Sequence, residues 1–283
     1  MKFIFITDFH GNHSAYKRSF RAARDLGVSA VVLGGDILPK KFKPGTPFAK
    51  AQQEFWDTWL LPKFEKLRQD GIDVYVMFGN DDARGILRKT LMKADSLGTV
   101  KDLYASEWLP FGDYWILGIP WVPDYPFSLK DWVCGDEDHT ICLTQFGSPL
   151  GTDQFHFVDH EVPWEEGIKT RATLKELLRD LPEPPDPSKA ILVAHCPPAQ
   201  GGLDMCADGR TVGSVALLRH IEVSSYLLTL HGHIHESVRT SGQWFSRVSD
   251  TLCVQPGALP PMYMVVDIDE RLVSHPQHGE IRI

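Results

Sequence analysis

The sequence predicts an α/β fold, an open sheet of interior strands with helices laid against it, and three observations carry that expectation. Short apolar runs, often β-branched, recur along the chain; helical patterns separate the first of them; and clusters of Asp, Asn and His follow directly after the runs. The runs are KFIFIT (2–7), SAVVLGG (29–35), VYVMFG (74–79), YWILGI (114–119), AILVAH (190–195), YLLTLHG (226–232) and MYMVVDI (262–268). Runs this short, and apolar on both faces, are strands of a covered sheet.

Residues 14–26 place Ala15, Phe20, Ala23 and Leu26 near one helical face, and residues 48–70 do the same with Phe55, Trp59, Leu60, Phe64 and Leu67. The opening third therefore reads β-α-β-α-β. Further helices are expected at 169–180 and 214–222, with the Pro-rich PEPPDPS (182–188) as a stiff connector into the next strand. The stretch 120–168 departs from this pattern, being aromatic and carrying ten acidic residues against one Lys, Lys130. It is expected to be an insertion or rim on a single domain spanning 1–283, either a solvated loop or a flap that gates substrate or contacts a partner.

At 283 residues and 43% hydrophobic the chain can bury a full core. Its formal net charge of -8, without a Lys/Arg-rich run, offers no footprint for a long nucleic acid, whereas a small anionic substrate remains compatible. Five cysteines without a CxxC pair argue against a disulfide scaffold and a zinc ribbon. FIFIT is too short for a signal-peptide core, and no stretch approaches the roughly 20 apolar residues of a spanning helix. A soluble, cytoplasmic protein with no membrane partner is the expectation.

After the first run come Asp8 and His10; after the second, Gly34, Gly35 and Asp36; after the third, Asn80, Asp81 and Asp82; after later runs His195, then His233 and His235. All lie at the carboxyl ends of expected strands, the edge of an α/β sheet where ligands bind. The i, i+2 spacing of Asp8 with His10 and of His233 with His235 would point both members of each pair the same way in extended chain. Carboxylate, imidazole and amide oxygen suit Mn, Fe or Zn. Seven such ligands are too many for one ion and about right for two sharing Asp36, which follows two glycines. Two cations about 3.5–4 Å apart can hold a bridging hydroxide and clamp an in-line displacement at phosphorus. His231 reads as a core or supporting histidine, and the segment 120–168 is expected to supply no ligand despite His139, His156 and His160.

DFH (8–10), GGD (34–36), GNDD (79–82), His195 within AHCPP, and GHIH (232–235) together resemble the motifs of the calcineurin-like metallophosphoesterases, D-x-H, G-D, G-N-H-[DE], H and G-H-x-H. The resemblance implies a four-layer α/β/β/α sandwich and a dinuclear centre, one divalent ion on Asp8, His10, Asp36 and His235 and the other on Asp36, Asn80, His195 and His233. It implies catalytic positions at Asp81 and Asp82, where Asp81 replaces the family's histidine and Asp82 is the acidic residue that orients it. The expected activity is hydrolysis of a phosphodiester, or of an activated phosphate ester or anhydride, in a small phosphorylated substrate. A catalytically weak, metal-bearing binding scaffold on the same fold is the alternative. Arg84 and Arg210 are candidate phosphate contacts or plain surface arginines, and Asn12 a phosphate donor or a turn residue.

Overall fold

In the computed structural model, residues 1–41, 44–142, 145, 148–152, 157–159, 163–258, 260 and 262–283 are described. The expected apolar runs form strands: β1 (Lys2–Ile6), β2 (Ala30–Gly34) and β3 (Asp73–Met77) run parallel and adjacent. They sit in a seven-stranded sheet ordered Gly279–Arg282, Leu272–His275, Tyr263–Asp267, β1, β2, β3, Lys101–Asp102. A second sheet of six strands is ordered Phe245–Val248, Thr251–Val254, Leu228–Leu230, Ala190–Ala194, Tyr114–Ile119, Leu109–Phe111.

Period-two alternation divides the core. Phe3 and Phe5 of β1 share one apolar cluster with Ile191, Val193, Leu228 and Leu230 of the second sheet. Ile4 and Ile6 instead join a cluster with Ala15, Tyr16 and Phe20 of α1 (His13–Asp25), and Leu192 joins Leu217 and Ile221 of the helix Val215–Ser224. Two sheets thus share an inner core and carry helices on their outer faces. Asn12 begins α1 as its N-cap, its side-chain oxygen accepting from the amides of Ser14 and Ala15 at 3.1 Å each. The turn role expected of it is present.

Three expectations are corrected. The helix 48–70 is broken by a π segment, Trp56–Leu60, between Phe48–Phe55 and Leu61–Gln69. Pro62 has no N–H to return to the preceding turn, and the Leu61 amide bonds five residues back, to the Trp56 carbonyl. The helix expected at 169–180 starts at Leu174, because Thr173 and Glu176 form a reciprocal capping box. Finally, the first part of 120–168 is not a solvated loop. Trp121, Val122, Tyr125 and residues 129–134 are buried, and Val122–Pro123 pairs in parallel with Val133–Cys134.

Lys130 shows why that acidic stretch folds inward. Its ammonium is fully buried and donates to Asp124 Oδ1 at 2.7 Å, the Tyr125 carbonyl at 2.7 Å and Gln145 Oε1 at 2.8 Å. All three donors of the ammonium are used, which is the condition for burying such a charge at tolerable cost. No helix among the described residues is long and apolar enough to cross a membrane.

Candidate metal centre

The loops that leave β1, β2, β3, Ala190–Ala194 and Leu228–Leu230 converge at one edge of the two sheets. Asp8, Asp36, Asn80 and His195 are buried there. Their approach depends on glycine. Gly35 has φ +104°, and a Cβ on it would come within 2.5 Å of His195 Nδ1; one on Gly79 would come within 2.6 Å of His195 Nε2.

Convergence does not arise as the i, i+2 spacing suggested. Asp8 (φ 58°), His10 (φ 44°), Asp36 (φ 53°) and His233 (φ 65°) all adopt the left-handed backbone, so the chain turns sharply at these residues instead of continuing extended. Such a conformation costs a non-glycine residue about 1–2 kcal/mol. Four such residues in one small region mark a place where geometry is held against local preference.

Two compact groups result: Asp8, His10 and Asp36 in one, Asp36, His195 and His233 in the other, with the candidate ligand atoms of each group within 4.8 Å of one another. Asp36 belongs to both. Asn80 Oδ1 lies 3.1 Å from His195 Nε2, alongside the second group. His235 is in neither group but stands next to the first, its ring 5.7 Å from that of His10. His139 is turned elsewhere, bonding the Arg171 carbonyl, whereas His156 and His160 lie outside the described residues.

Hydrogen bonds aim the ligand atoms. His195 Nδ1 donates to the Gly34 carbonyl at 2.8 Å, leaving Nε2 to face Asn80 and Asp36. Asp8 accepts from the His233 amide at 3.0 and 3.1 Å and from Thr7 Oγ1 at 2.9 Å. Burial raises the Asp8 carboxyl above its usual range. Burial also opposes charge on Asp36, yet the charge and hydrogen bond of His195 hold its carboxyl well below that range. His195 is lifted to about 9, since Asp36 outweighs burial. The pocket thus favours positive charge at Nε2. Burial drives His10 down to about 3 and His233 well below an ordinary imidazole, so both present neutral nitrogens.

Those nitrogens give the test of fit for a metal. Both ring nitrogens of His10 and Nε2 of His233 are buried without a hydrogen-bond partner. Buried polar atoms are rarely left so, and a cation supplies what neutral imidazoles lack. The donor set of carboxylate, imidazole and amide oxygen fits hard or borderline divalent ions. His231 is the contrast: buried, it meets Thr229 Oγ1 at 2.7 Å and the carbonyls of Ala194 and Cys196 at 3.1 and 3.0 Å. It is a structural histidine.

The adjacent aspartates have separate tasks. Asp82 is fully buried and accepts from the amides of Leu38 at 2.8 Å, Gly79 at 2.9 Å and Ile37 at 3.1 Å, tying the loop after β2 to the loop after β3. Burial and Asp36 raise its carboxyl to about 7, against those amide donors. Asp81 donates its amide to Asp36 Oδ1 at 2.8 Å and pairs its carboxylate with the Lys40 ammonium. Burial, with Asp36, pushes the Asp81 carboxyl well up.

Lys40 is the site residue that sequence reading missed. It lies among other lysines in PKKFKPG, with no motif to single it out. Arg84 lies with its guanidinium 5.0 Å from the ring centres of both Trp121 and Trp132. Arg210 pairs with Asp208 at 2.8 Å on the surface.

Comparison with known proteins bears on the family and the fold. A family model described as calcineurin-like phosphoesterase matches residues 1–237. Among solved structures, TT1561 of Thermus thermophilus is similar over 99% of this chain and 98% of its own, with 18% identity and a TM-score of 0.53. That likeness speaks to the fold. An archaeal phosphodiesterase (14% identity, 100% of both chains, TM-score 0.41) and a dimetal phosphatase from Danio rerio (14%, 100% and 96%, TM-score 0.46) align more loosely. No curated protein matches the chain.

Proposed function

We propose, for a chain that belongs to the calcineurin-like phosphoesterase family and is a phosphate-ester hydrolase, that it uses two divalent ions to cleave a phosphodiester, or an activated phosphate ester or anhydride, in a small substrate. Asp8, His10, Asp36 and His235 would hold one ion, and Asp36, Asn80, His195 and His233 the other. The observation that carries this reading is the membership of Asp36 in both ligand groups. Bound divalent ions supply Lewis-acid charge and acidify water near neutral pH, the two requirements for hydrolysis at phosphorus. Mn, Fe and Zn all suit the donor set.

The chain's own residues supply positioning. His195 is held in one tautomer by Gly34 and Asp8 is held by the His233 amide, so neither ligand has to reorganise as ions bind. Asp82 fixes the spacing of the Asp36 and Asn80 loops through its three amide bonds. Asp81 occupies the place of the family's histidine, and its pairing with Lys40 offsets the repulsion that a lone carboxylate would exert on a dianionic monoester. Two bound divalent ions would join Lys40 in opposing the rise that burial and Asp36 impose on the Asp81 carboxyl. With Asp81 so held ionised, the pair lacks a donor matched to neutral pH, worth roughly 10²–10⁴ in rate for a poor leaving group. Diesters with good leaving groups and anhydrides escape that loss.

A single cytoplasmic domain, with 120–168 as an insertion against the centre, accompanies this reading. The test pairs metal analysis with turnover of an alkyl monoester, an aryl diester and an anhydride, in wild type and in Asp81→His. We expect two ions per chain, turnover of diester or anhydride over alkyl monoester, and a gain of monoesterase activity in the variant. One ion per chain under saturating Mn or Zn refutes the dinuclear reading, and a wild-type preference for alkyl monoesters refutes the role given to Asp81.

A further inference from the structure

The centre is flanked by two clefts that it connects. One, of about 1140 Å³, reaches Asp8, His10 and His235; the other, of about 680 Å³, reaches Asp36, Asn80 and His233. Lys40 borders both. A phosphorus atom at the centre therefore faces a separate concavity on either side.

The walls of the two clefts are built for organic groups. In the larger one, Phe55 and Trp59 stack at 5.1 Å with 22° between their planes, and the exposed His13 ring lies 4.2 Å from Trp59. Around the π segment, Trp56 and Leu60 turn fully into the core while Phe55, just before it, and Trp59 stay half-buried along the cleft. An aromatic shelf half open beside a polar centre is a stacking surface for a planar ring. In the smaller cleft the wall next to the centre is Tyr125 and Phe127, whose rings lie 4.7 and 5.9 Å from that of His233, and Ile141 and Val212 extend it outward. Tyr125 and Phe127 belong to the largely buried stretch 121–134, and Asp136, Glu137 and Asp138 also line the cleft.

We propose that the two clefts are the two substituent sites of a phosphodiester, with a planar aromatic group on the shelf of His13, Phe55 and Trp59 and an apolar group against Tyr125 and Phe127. This assignment rests on the hydrolytic reading above and specifies its substrate class. A monoester has one organic arm and fills one cleft. A diester fills both, and each arm contributes to holding phosphorus at the centre.

The experiment compares bis(4-nitrophenyl) phosphate with methyl 4-nitrophenyl phosphate on the metal-loaded enzyme. The two share charge and leaving group and differ in the second arm, and each kcat/KM is divided by the uncatalysed hydrolysis rate of the same ester to remove the electronic and statistical effects of the second nitrophenyl group. Wild type is expected to favour the bis-aryl ester by about tenfold in kcat/KM, in line with the worth of one stacked ring. Trp59→Leu and Phe127→Leu should each raise KM for the bis-aryl ester about fivefold or more with kcat within about twofold. For the methyl ester only one of the two variants should matter. His13→Ala, at an exposed position, tests the shelf without touching the interior, and calorimetric binding of diphenyl phosphate reads both clefts independently of turnover. Equal kcat/KM for the two diesters in wild type, or unchanged diphenyl phosphate affinity in Trp59→Leu and Phe127→Leu, overturns the two-cleft assignment. Binding of diphenyl phosphate that both variants weaken, in a metal-loaded protein that cleaves no ester, instead supports the clefts and overturns the hydrolytic reading.

Discussion

Two regions of this molecule bury charge, and they do so in opposite ways. Around Lys130 every donor of the buried ammonium is bonded within the protein, and the Phe127 and Trp164 rings flank it at 5.2 and 5.4 Å. At the strand-end centre, buried nitrogens of His10 and His233 have no partner, and the residues carrying them are bent into the left-handed backbone. The first arrangement is closed and holds a segment in place. The second is open and is completed by something the chain does not contain. Internal satisfaction, more than burial or charge, separates a structural polar cluster from a functional one.

That distinction can be broken most decisively at Asp36. Asp36→Asn should remove detectable hydrolysis, a loss of roughly 10⁴ in kcat, and lower the metal content measured by elemental analysis, because the shared ligand loses its charge. Full metal content with near-normal turnover would sink the reading of the open site. At the closed site, Lys130→Met should cost about 3–5 kcal/mol of unfolding free energy by leaving Asp124 buried without its counter-charge. Metal content per folded chain should stay unchanged. Asp124→Leu added to it should recover most of the loss, since removing both charges spares the unpaired one.

Metal removal sharpens the contrast at a similar scale. An ion present at about a thousand times its Kd stabilises the folded chain by about 4 kcal/mol, so a chelator should lower Tm in the wild type. The same chelator should leave Asp36→Asn nearly unmoved. The smallest expected effect separates neighbours within HGHIH. His231→Gln should cost about 1–3 kcal/mol, measured by denaturant unfolding, through the partners it leaves unpaired. It should keep its metal, whereas His233→Ala should lose at least one ion.

The sequence displayed the open site better than the closed one. Asp8, Asp36, Asn80, His195 and His233 each follow an apolar run, and a strand end is legible because period and turn chemistry are local. What local chemistry does not encode is how the chain bends after the strand. The left-handed turns at Asp8, His10 and His233 come from tertiary closure, and the extended-chain reading brought the same residues together by a geometry the chain does not adopt. Lys40 was illegible because its role is set by meeting Asp81, 41 positions later in the chain. The stretch 121–134 looked solvated on composition, since nothing local shows that its one lysine gathers Asp124, Tyr125 and Gln145 around itself. The strands Leu272–His275 and Gly279–Arg282 alternate too weakly in hydropathy to stand out, one face being turned to solvent.

The placement of β1 has a consequence in time. One of its edges is covered early, by β2, through pairs such as Phe3 with Ala30; the other waits for Tyr263–Asp267, through pairs such as Lys2 with Asp267. Asp8 and His10 leave the end of that strand. At about 5–20 residues per second of synthesis, the second edge stays unpaired for roughly ten to fifty seconds after the first is made. During that interval an apolar strand that leads into two candidate metal ligands has an open edge, an arrangement prone to pair with another chain. The edge of the sheet that carries the cradle is therefore among the last parts of the molecule to become whole.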